Sequence, residues 1–275
     1  MDNQDLKIGF VGSGNMARAI IGGLIGSGHP PQRLAAADPD STQRGRVQAI
    51  HAGIRVTDNN DVAVDGADVV VLAVKPQIMA DVVSALTGSA GQGGRAYLSI
   101  AAGITLGRLQ SALGTQTAIV RAMPNQPAQI GAGMSVLTAT PATDARQKAR
   151  AQYVAESMGA VAWIDDEALM DAVTAVSGSG PAYFYLFMEM MADCAREMGL
   201  PADLADTLVR QTAFGAGRVA LESGLELDKL RAGVTSKGGT TAAAIDVLEQ
   251  SEFRAIVARA LLAARDRSTE LGKIG

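Results

Sequence analysis

The hydrophobic rhythm of the chain changes once, near residue 165. Up to that point short apolar runs alternate with stretches of helical period. Residues 7–11 read as a strand and 15–25 as a helix; residues 34–37 read as a second strand and 41–51 as a second helix. Residues 69–74 (VVVLAV) form a continuous apolar run, as a parallel strand does when both faces of its sheet are covered. Residues 96–100 and 118–123 read as two more strands, and 133–137 and 161–164 extend the series. This alternation predicts an α/β fold, a Rossmann-type, doubly wound and mostly parallel sheet, over residues 1–165.

From residue 166 to 275 no segment shows a period of two. Helical patterns cover 181–198, 202–223, 241–250 and 252–271. Gly199-Leu200-Pro201 stops one helix and starts the next. The pattern therefore predicts an all-α C-terminal domain. Its first long helix carries Phe184, Leu186, Phe187, Met188, Met190 and Met191 around most of its circumference. A helix that is apolar nearly all round is a buried helix. Either it sits centrally in its own domain or a second subunit covers it. So small a helical half favours the second subunit and a homo-oligomer.

Composition narrows the function classes. The 275 residues are 48% hydrophobic and 19% charged, which supplies a large core. The formal net charge of −4, with Lys and Arg scattered, gives no basic surface for nucleic acid. Cys194 is the sole cysteine, so no internal disulfide and no Cys-rich metal site is expected. It reads as a small buried hydrophobe within a helix. The acidic start MDNQD lacks the basic and apolar regions of a signal peptide. No apolar run approaches the ~18 residues of a membrane span. A soluble cytoplasmic protein, with no membrane partner and no metal, is the expectation.

Gly12-Ser13-Gly14-Asn15-Met16-Ala17 fits G-x-G-x-x-A between a strand and a helix. Gly12 suits the tight turn, Gly14 lets backbone approach a pyrophosphate, and Ala17 keeps the helix close to the sheet. Asp38 follows the second strand, where an acid accepts from ribose hydroxyls and favours NAD. Ser41, Arg44 and Arg46 follow closely and would instead hold a 2′-phosphate. A third reading is a turn that caps the next helix. Ala73, Val74, Lys75 and Pro76 end one strand. Ala101 and Ala102 follow another, and Met123, Pro124 and Asn125 end a third. In open parallel sheets ligands gather outside such carboxyl ends. Lys75 reads equally as a catalytic residue and as a solvated surface lysine.

Far from this fingerprint lies Val234-Thr235-Ser236-Lys237-Gly238-Gly239-Thr240-Thr241, just ahead of a helical run. Two glycines between hydroxyl residues turn backbone N–H groups toward an anion, and the helix start adds a favourable field. Such a loop suits a small carboxylate. The two histidines, His29 and His51, fall at helix ends and read as surface residues, so no His general base is available. The chemistry then needs little proton transfer from protein. Hydride addition to a protonated C=N bond fits, because positioning supplies most of what it requires.

These segments resemble the pyrroline-5-carboxylate reductase family nearly end to end. The resemblance is carried by GFVGSGNMARAIIGGL at 9–24, ADVVVLAVKPQ at 67–77, SIAAG at 99–103, RAMPN at 121–125, AVSGSGPAY at 175–183 and VTSKGGTTAAAI at 234–245. It implies NAD(P)H-dependent reduction of delta-1-pyrroline-5-carboxylate to L-proline, usually with NADPH. It also implies a dinucleotide domain (1–165) and a helical dimerisation and substrate-binding domain (166–275). Family dimers often assemble further into decamers. By the same resemblance Gly239 and Thr240 offer backbone N–H groups to the substrate carboxylate, and the Thr241 hydroxyl lies near the ring nitrogen. Ser236 and Gly238 shape the loop, Ser177 and Gly178 lie near the substrate, and Asn60 touches the cofactor ribose. Val74, Lys75 and Pro76, with Ala101 and Ala102, pack along the nicotinamide half. Two positions depart from the family pattern. Lys237 stands where the family often has Pro, and Asp38 stands where NADPH-preferring members more often have Ser or Thr, which leaves NADPH against NADH open. The rivals are a β-hydroxyacid or other imine reductase, which needs a catalytic Lys or Asp on the first long helix, and a noncatalytic nucleotide-binding relative.

Overall fold

The computed structural model describes residues 3–86 and 94–274. The described residues up to Ser179, with those from Ala264 on, form one compact unit, and Gly180–Ala263 form a second. The sheet unit holds eight strands: β1 (Ile8–Val11), β2 (Leu34–Ala37), β3 (Arg55–Thr57), β4 (Val69–Leu72), β5 (Ala96–Ser99), β6 (Ile119–Met123), β7 (Gly133–Ala139) and β8 (Gly159–Trp163). Their order is β3-β2-β1-β4-β5-β6-β7-β8. The first six follow the 3-2-1-4-5-6 order of dinucleotide folds. All neighbours are parallel except β6 and β7. Only a short connection with the five-residue 3-10 helix Gln126–Ile130 joins those two, too short for a parallel crossover.

Helices cover both faces: α1 (Asn15–Gly26), α2 (Ser41–Gln48), α3 (Asn60–Val64), α4 (Met79–Ala85), α5 (Leu106–Leu113) and α6 (Ala145–Glu156). The period-two side-chain alternation splits β4 between two cores. Val69 and Val71 join Phe10, Ile20, Ile21 and Leu24 on one face. Val70 and Leu72 join Met79, Val83, Tyr97 and Leu109 on the other. The α1 face is Ala17, Ile20, Ile21 and Leu24, the i, i+3, i+4, i+7 spacing that packs one stripe on a sheet.

After β8 a one-turn 3-10 helix (Glu167–Leu169) leads into α7 (Met170–Val173) and a π-helical turn (Thr174–Gly178). Glu167 ties this segment to the sheet. Its Oε1 accepts from the buried Arg121 Nη1 at 2.7 Å and from the Leu106 N–H at 2.8 Å.

The second unit contains α8 (Gly180–Glu197), α9 (Ala202–Glu222), α10 (Leu227–Gly233), α11 (Thr240–Gln250) and the first part of α12 (Phe253–Ile274). Strands thus end at Trp163, while the compact units divide later, after Ser179. The hydrophobic pattern did not give β3, α3, α5, α6 or α10; of these β3, α3 and α10, at three to seven residues, carry too few periods to register.

Two sequence expectations need correction. His29 is buried, not at the surface: after α1 the chain turns back at Gly28 (φ +91°) and sets the imidazole against α6, with Nδ1 3.0 Å from the Tyr153 hydroxyl. Cys194 is exposed. Along α8 the buried residues are only Gly180, Ala192 and Ala195. Phe184 is 71% and Leu186 55% exposed. The helical unit by itself covers neither that face nor the cysteine.

Burial is the main force that lowers the His29 pKa from its ordinary 6.5; the Leu6 backbone opposes it and the Arg33 charge adds to it. The unfolded chain therefore protonates this ring first. Its contribution is whole above 6.5 and declines as pH falls below it toward the folded pKa. Thermal midpoints should drop from about pH 7.5 to about pH 5, and His29→Gln should flatten that profile; an equally steep profile in the variant would place the proton uptake elsewhere. Glu167→Ala leaves the Arg121 guanidinium buried without its partner. Because the carboxylate is 28% exposed, the low end of a buried-pair loss applies, roughly 3 kcal/mol. Urea unfolding should show it, and an unchanged midpoint would mean that water replaces the carboxylate.

Candidate functional site

The glycine loop between β1 and α1 has the geometry its sequence requires. Gly12 sits at φ +94°, and a Cβ there would lie 2.7 Å from the Ala73 carbonyl oxygen. Ala73-Val74 at the end of β4 is thus packed directly on the turn. At Gly14, the N-cap of α1, a Cβ would meet nothing within 4 Å, so backbone faces open space beside the first turn. Ala17 is buried against the sheet, and Met16 packs on the same core. Free N–H groups, the helix field and open space above Gly14 fit a dinucleotide pyrophosphate. Ser13 is buried, and its N–H donates to Asp38 Oδ2 at 2.8 Å. Arg18 donates through Nη1 to the Ser13 carbonyl at 2.8 Å and through Nη2 to the exposed Asn15 Oδ1 at 2.5 Å.

Asp38 follows β2 and closes this loop from the other side. Its Oδ1 also accepts from the Asp40 N–H at 3.0 Å. Each carboxylate oxygen has a further lone pair, so these bonds leave acceptor capacity for a ribose hydroxyl. The capping reading holds two residues on: Asp40 accepts from the Thr42 N–H and caps α2. Arg44 Nη1 donates to the Asp38 and Pro39 carbonyls at 2.7 and 2.9 Å. Its guanidinium is therefore committed in part to the turn, while Ser41 and Arg46 are exposed.

The remaining strand ends lie at the same edge of the sheet. Lys75 is exposed, with extended backbone ahead of a 3-10 turn that begins at Pro76. After β5, Ala101 is buried and Ala102 exposed. Asn60 opens α3, half-buried, while its neighbour Asn59 supplies the cap. At the end of β6, Pro124 is buried and Asn125 is held on both sides. The Asn125 Oδ1 accepts from the Met134 N–H at 2.9 Å, and Nδ2 donates to the Ser177 carbonyl at 3.2 Å. A Cβ on Gly178 would collide with the Met123 methyl carbon. Ser177 and Gly178 of the π-helical turn are thus brought onto Met123 and Asn125.

The second group belongs to the helical unit. Gly238 takes φ +72° and Gly239 is the N-cap of α11, without a side-chain cap. A Cβ on Gly239 would collide with the Ser236 Oγ. The Gly239 N–H donates to the Ser236 carbonyl at 3.0 Å. That bond closes the turn and commits a donor expected to serve the carboxylate. The N–H groups of the first helical turn, from Thr240 on, have no intrahelical partner. Ser236, Lys237, Gly238 and Thr240 are exposed, and Thr241 is half-buried.

A model described as pyrroline-5-carboxylate reductase dimerisation matches residues 167–271, and one described as NADP oxidoreductase coenzyme F420-dependent matches residues 7–103. A pyrroline-5-carboxylate reductase of Pseudomonas aeruginosa is 45% identical over 97% of this chain and 97% of its own length. The chain belongs to the pyrroline-5-carboxylate reductase family. The solved reductase of Coxiella burnetii superposes with a TM-score of 0.93 at 38% identity, covering 97% of this chain and 98% of that one. The Plasmodium falciparum enzyme, solved with NADP bound, gives 0.85 at 28% identity over 98% and 99%. The NAD(P)-binding fold and an oligomerising helical segment follow from this membership.

Arg18 was not foreseen beside the fingerprint. Its position one residue after Ala17 is a readable signal, since the first turn of α1 must face the loop. Among the described residues no three His, Cys, Asp or Glu side chains cluster as a metal site, and no helix is long and apolar enough to cross a membrane. Gly12→Val puts a branched side chain at φ +94° against the Ala73 carbonyl. NADPH affinity should fall at least about tenfold, ~1.4 kcal/mol, in a fluorescence titration. Unaltered affinity would remove the glycine loop from the binding site.

Proposed function

We propose that this chain reduces delta-1-pyrroline-5-carboxylate to L-proline, the final step of proline biosynthesis, with NADPH and also NADH as reductant. The observation that carries the reading is the intact Ser236-to-Thr241 loop at the start of α11, in a chain whose sheet unit carries a dinucleotide cradle. A nicotinamide held at the strand ends would supply the hydride for the C=N carbon. The residues assigned to hold that cofactor are Gly12 to Ala17, Asp38, Ser41, Arg44, Asn60, Ala73 to Pro76, Ala101, Ala102 and Met123 to Asn125.

The loop's part is to hold and orient. Thr240 and the turn after it present N–H groups to the substrate carboxylate, where the α11 field favours negative charge. Ser236, Gly238 and Gly239 set that curvature, with Ser177 and Gly178 also assigned to the substrate. The Thr241 hydroxyl lies near the ring nitrogen, where its oxygen accepts from the iminium N–H. The iminium already carries its proton, so hydride addition yields the neutral amine without a protein base. That accounts for a chemistry served by neither histidine. Lys75 is the remaining candidate for a catalytic cation at the nicotinamide edge.

Residues 166–275 serve as the helical dimerisation and substrate-binding domain, and residues 1–165 as the dinucleotide domain. The exposed apolar residues of α8 and α9 are the surface for a second copy, and dimers assemble further into a decamer. Thr241→Ala removes one oriented hydrogen bond. The expected loss in kcat/KM corresponds to about 1–3 kcal/mol, with the KM for NADPH unchanged. Steady-state rates with pyrroline-5-carboxylate, run with NADPH and with NADH, measure it. Wild-type turnover by the variant would end the role given to Thr241, and no proline formation by the wild-type chain would end the reading itself.

A further inference from the structure

The last turns of α12 pack on the sheet unit in an unusual way. Over its 22 residues the one buried side chain, among those described, is a hydroxyl: Ser268, 7% exposed. No described apolar side chain of these turns is fully buried, so apolar burial alone fixes this end of the helix only weakly. Directional bonds fix it. Ser268 Oγ donates to Asp171 Oδ1 at 2.7 Å, and Thr269 Oγ1 donates to Asp171 Oδ2 at 2.7 Å. One turn further on, helix backbone meets the loop after β5. A Cβ on Gly103 would lie 3.8 Å from the Leu271 carbonyl carbon, and one on Gly272 would lie 3.8 Å from the Gly103 oxygen. Arg108 Nη2 completes the contact by donating to the Lys273 carbonyl at 3.3 Å.

We infer that Asp171 is a positioning residue for the nicotinamide side of the cofactor site, acting through the C-terminal turns of α12. The inference rests on the reading that Ala101 and Ala102 line the nicotinamide half. Gly103 follows them directly and turns at φ +77°, and the Leu271–Gly272 backbone lies against it. A helix can rotate or slide, and one residue of rotation, ~100°, would carry Gly272 away from that loop. Two hydroxyls on adjacent residues, bonded to the two oxygens of one carboxylate, remove that freedom. Asp171 also sits in α7, three residues before the π-helical turn whose Ser177 and Gly178 lie on Asn125 and Met123. One carboxylate thus couples the loop after β5 to the end of β6. An aspartate suits the place because it offers two acceptors to two donors.

The test uses the full chain and four proteins: wild type, Asp171→Ala, Asp171→Asn, and the Ser268→Ala/Thr269→Val double variant. NADPH dissociation constants are read by fluorescence at a temperature where all four are folded. kcat and KM values, and the primary isotope effect with 4-deuterated NADPH, follow with pyrroline-5-carboxylate. Asp171→Ala and the double variant should each weaken NADPH binding about five- to tenfold and lower kcat by a similar factor, with the KM for pyrroline-5-carboxylate within about twofold of wild type. Asp171→Asn should recover most of the loss. Its oxygen still accepts from Ser268, and its N–H can donate to Thr269, whose own proton has the Arg265 carbonyl at 3.2 Å. Lowered melting temperatures with wild-type NADPH affinity and isotope effect would overturn the inference and leave Asp171 a structural anchor. A wild-type chain that binds NADPH but makes no proline would overturn the proposed reaction alone, since the shift in NADPH affinity would still support the role of Asp171.

Discussion

Everything at the nucleotide end depends on β1 having parallel partners on both sides, β2 on one and β4 on the other. That pairing sends the chain from β1 toward β2 and β3, then back across to β4, so strand order reverses at this point. Loops on the two sides diverge there and leave a crevice. The Gly12 turn fills its inner wall because the end of β4 comes within contact distance of it. Asp38 forms the other wall because β2 is in register with β1, Val11 opposite Ala37. The Ser13–Asp38 bond is then a consequence of strand register.

The strands around this crevice were legible because their signal is redundant. Val69–Leu72 is apolar and buried at every position, and its shortness and three β-branched valines favour a strand over a buried helix. The fingerprint was legible because its glycines follow a strand and open a helix. What sequence did not disclose is who partners whom across long separations. Arg121 with Glu167, and Asn125 with Ser177, are separated by 46 and 52 residues. Nothing in either segment alone distinguishes a buried ion pair from two surface charges. His29 was misjudged for a related reason. Its place at a helix end suggested solvent, but a glycine at φ +91° turned the chain inward onto Tyr153.

Cys194 was misjudged for the opposite reason. An apolar helix was read as buried, and the chain alone does not bury it. Within Gly180–Ala263 the buried apolar side chains are alanines and one valine, while Phe184, Leu186 and Phe214 stand exposed. Small residues bring α8 and α9 close together, but they contribute little apolar area per residue. Most of the apolar surface of the unit is left outside. Exposed patches of this extent mark interaction surfaces, and the dimerisation segment matched at 167–271 spans this unit. The chain by itself leaves the apolar pattern of α8 uncovered.

Within the sheet unit two regions therefore rely on different physics. The sheet is held by apolar burial, which is strong but indifferent to small rotations. Around the strand ends the connections are instead polar and directional. Glu167 holds β6 and α5, Asn125 holds the π-helical turn, and Asp171 holds the end of α12. Each uses one side chain to join segments distant in sequence. Apolar packing alone would have tolerated several registers of α12 against the loop after β5, because Gly103 and Gly272 offer no side chains to interlock. Assigning register to hydrogen bonds at that point lets backbone approach backbone closely without giving up a defined position.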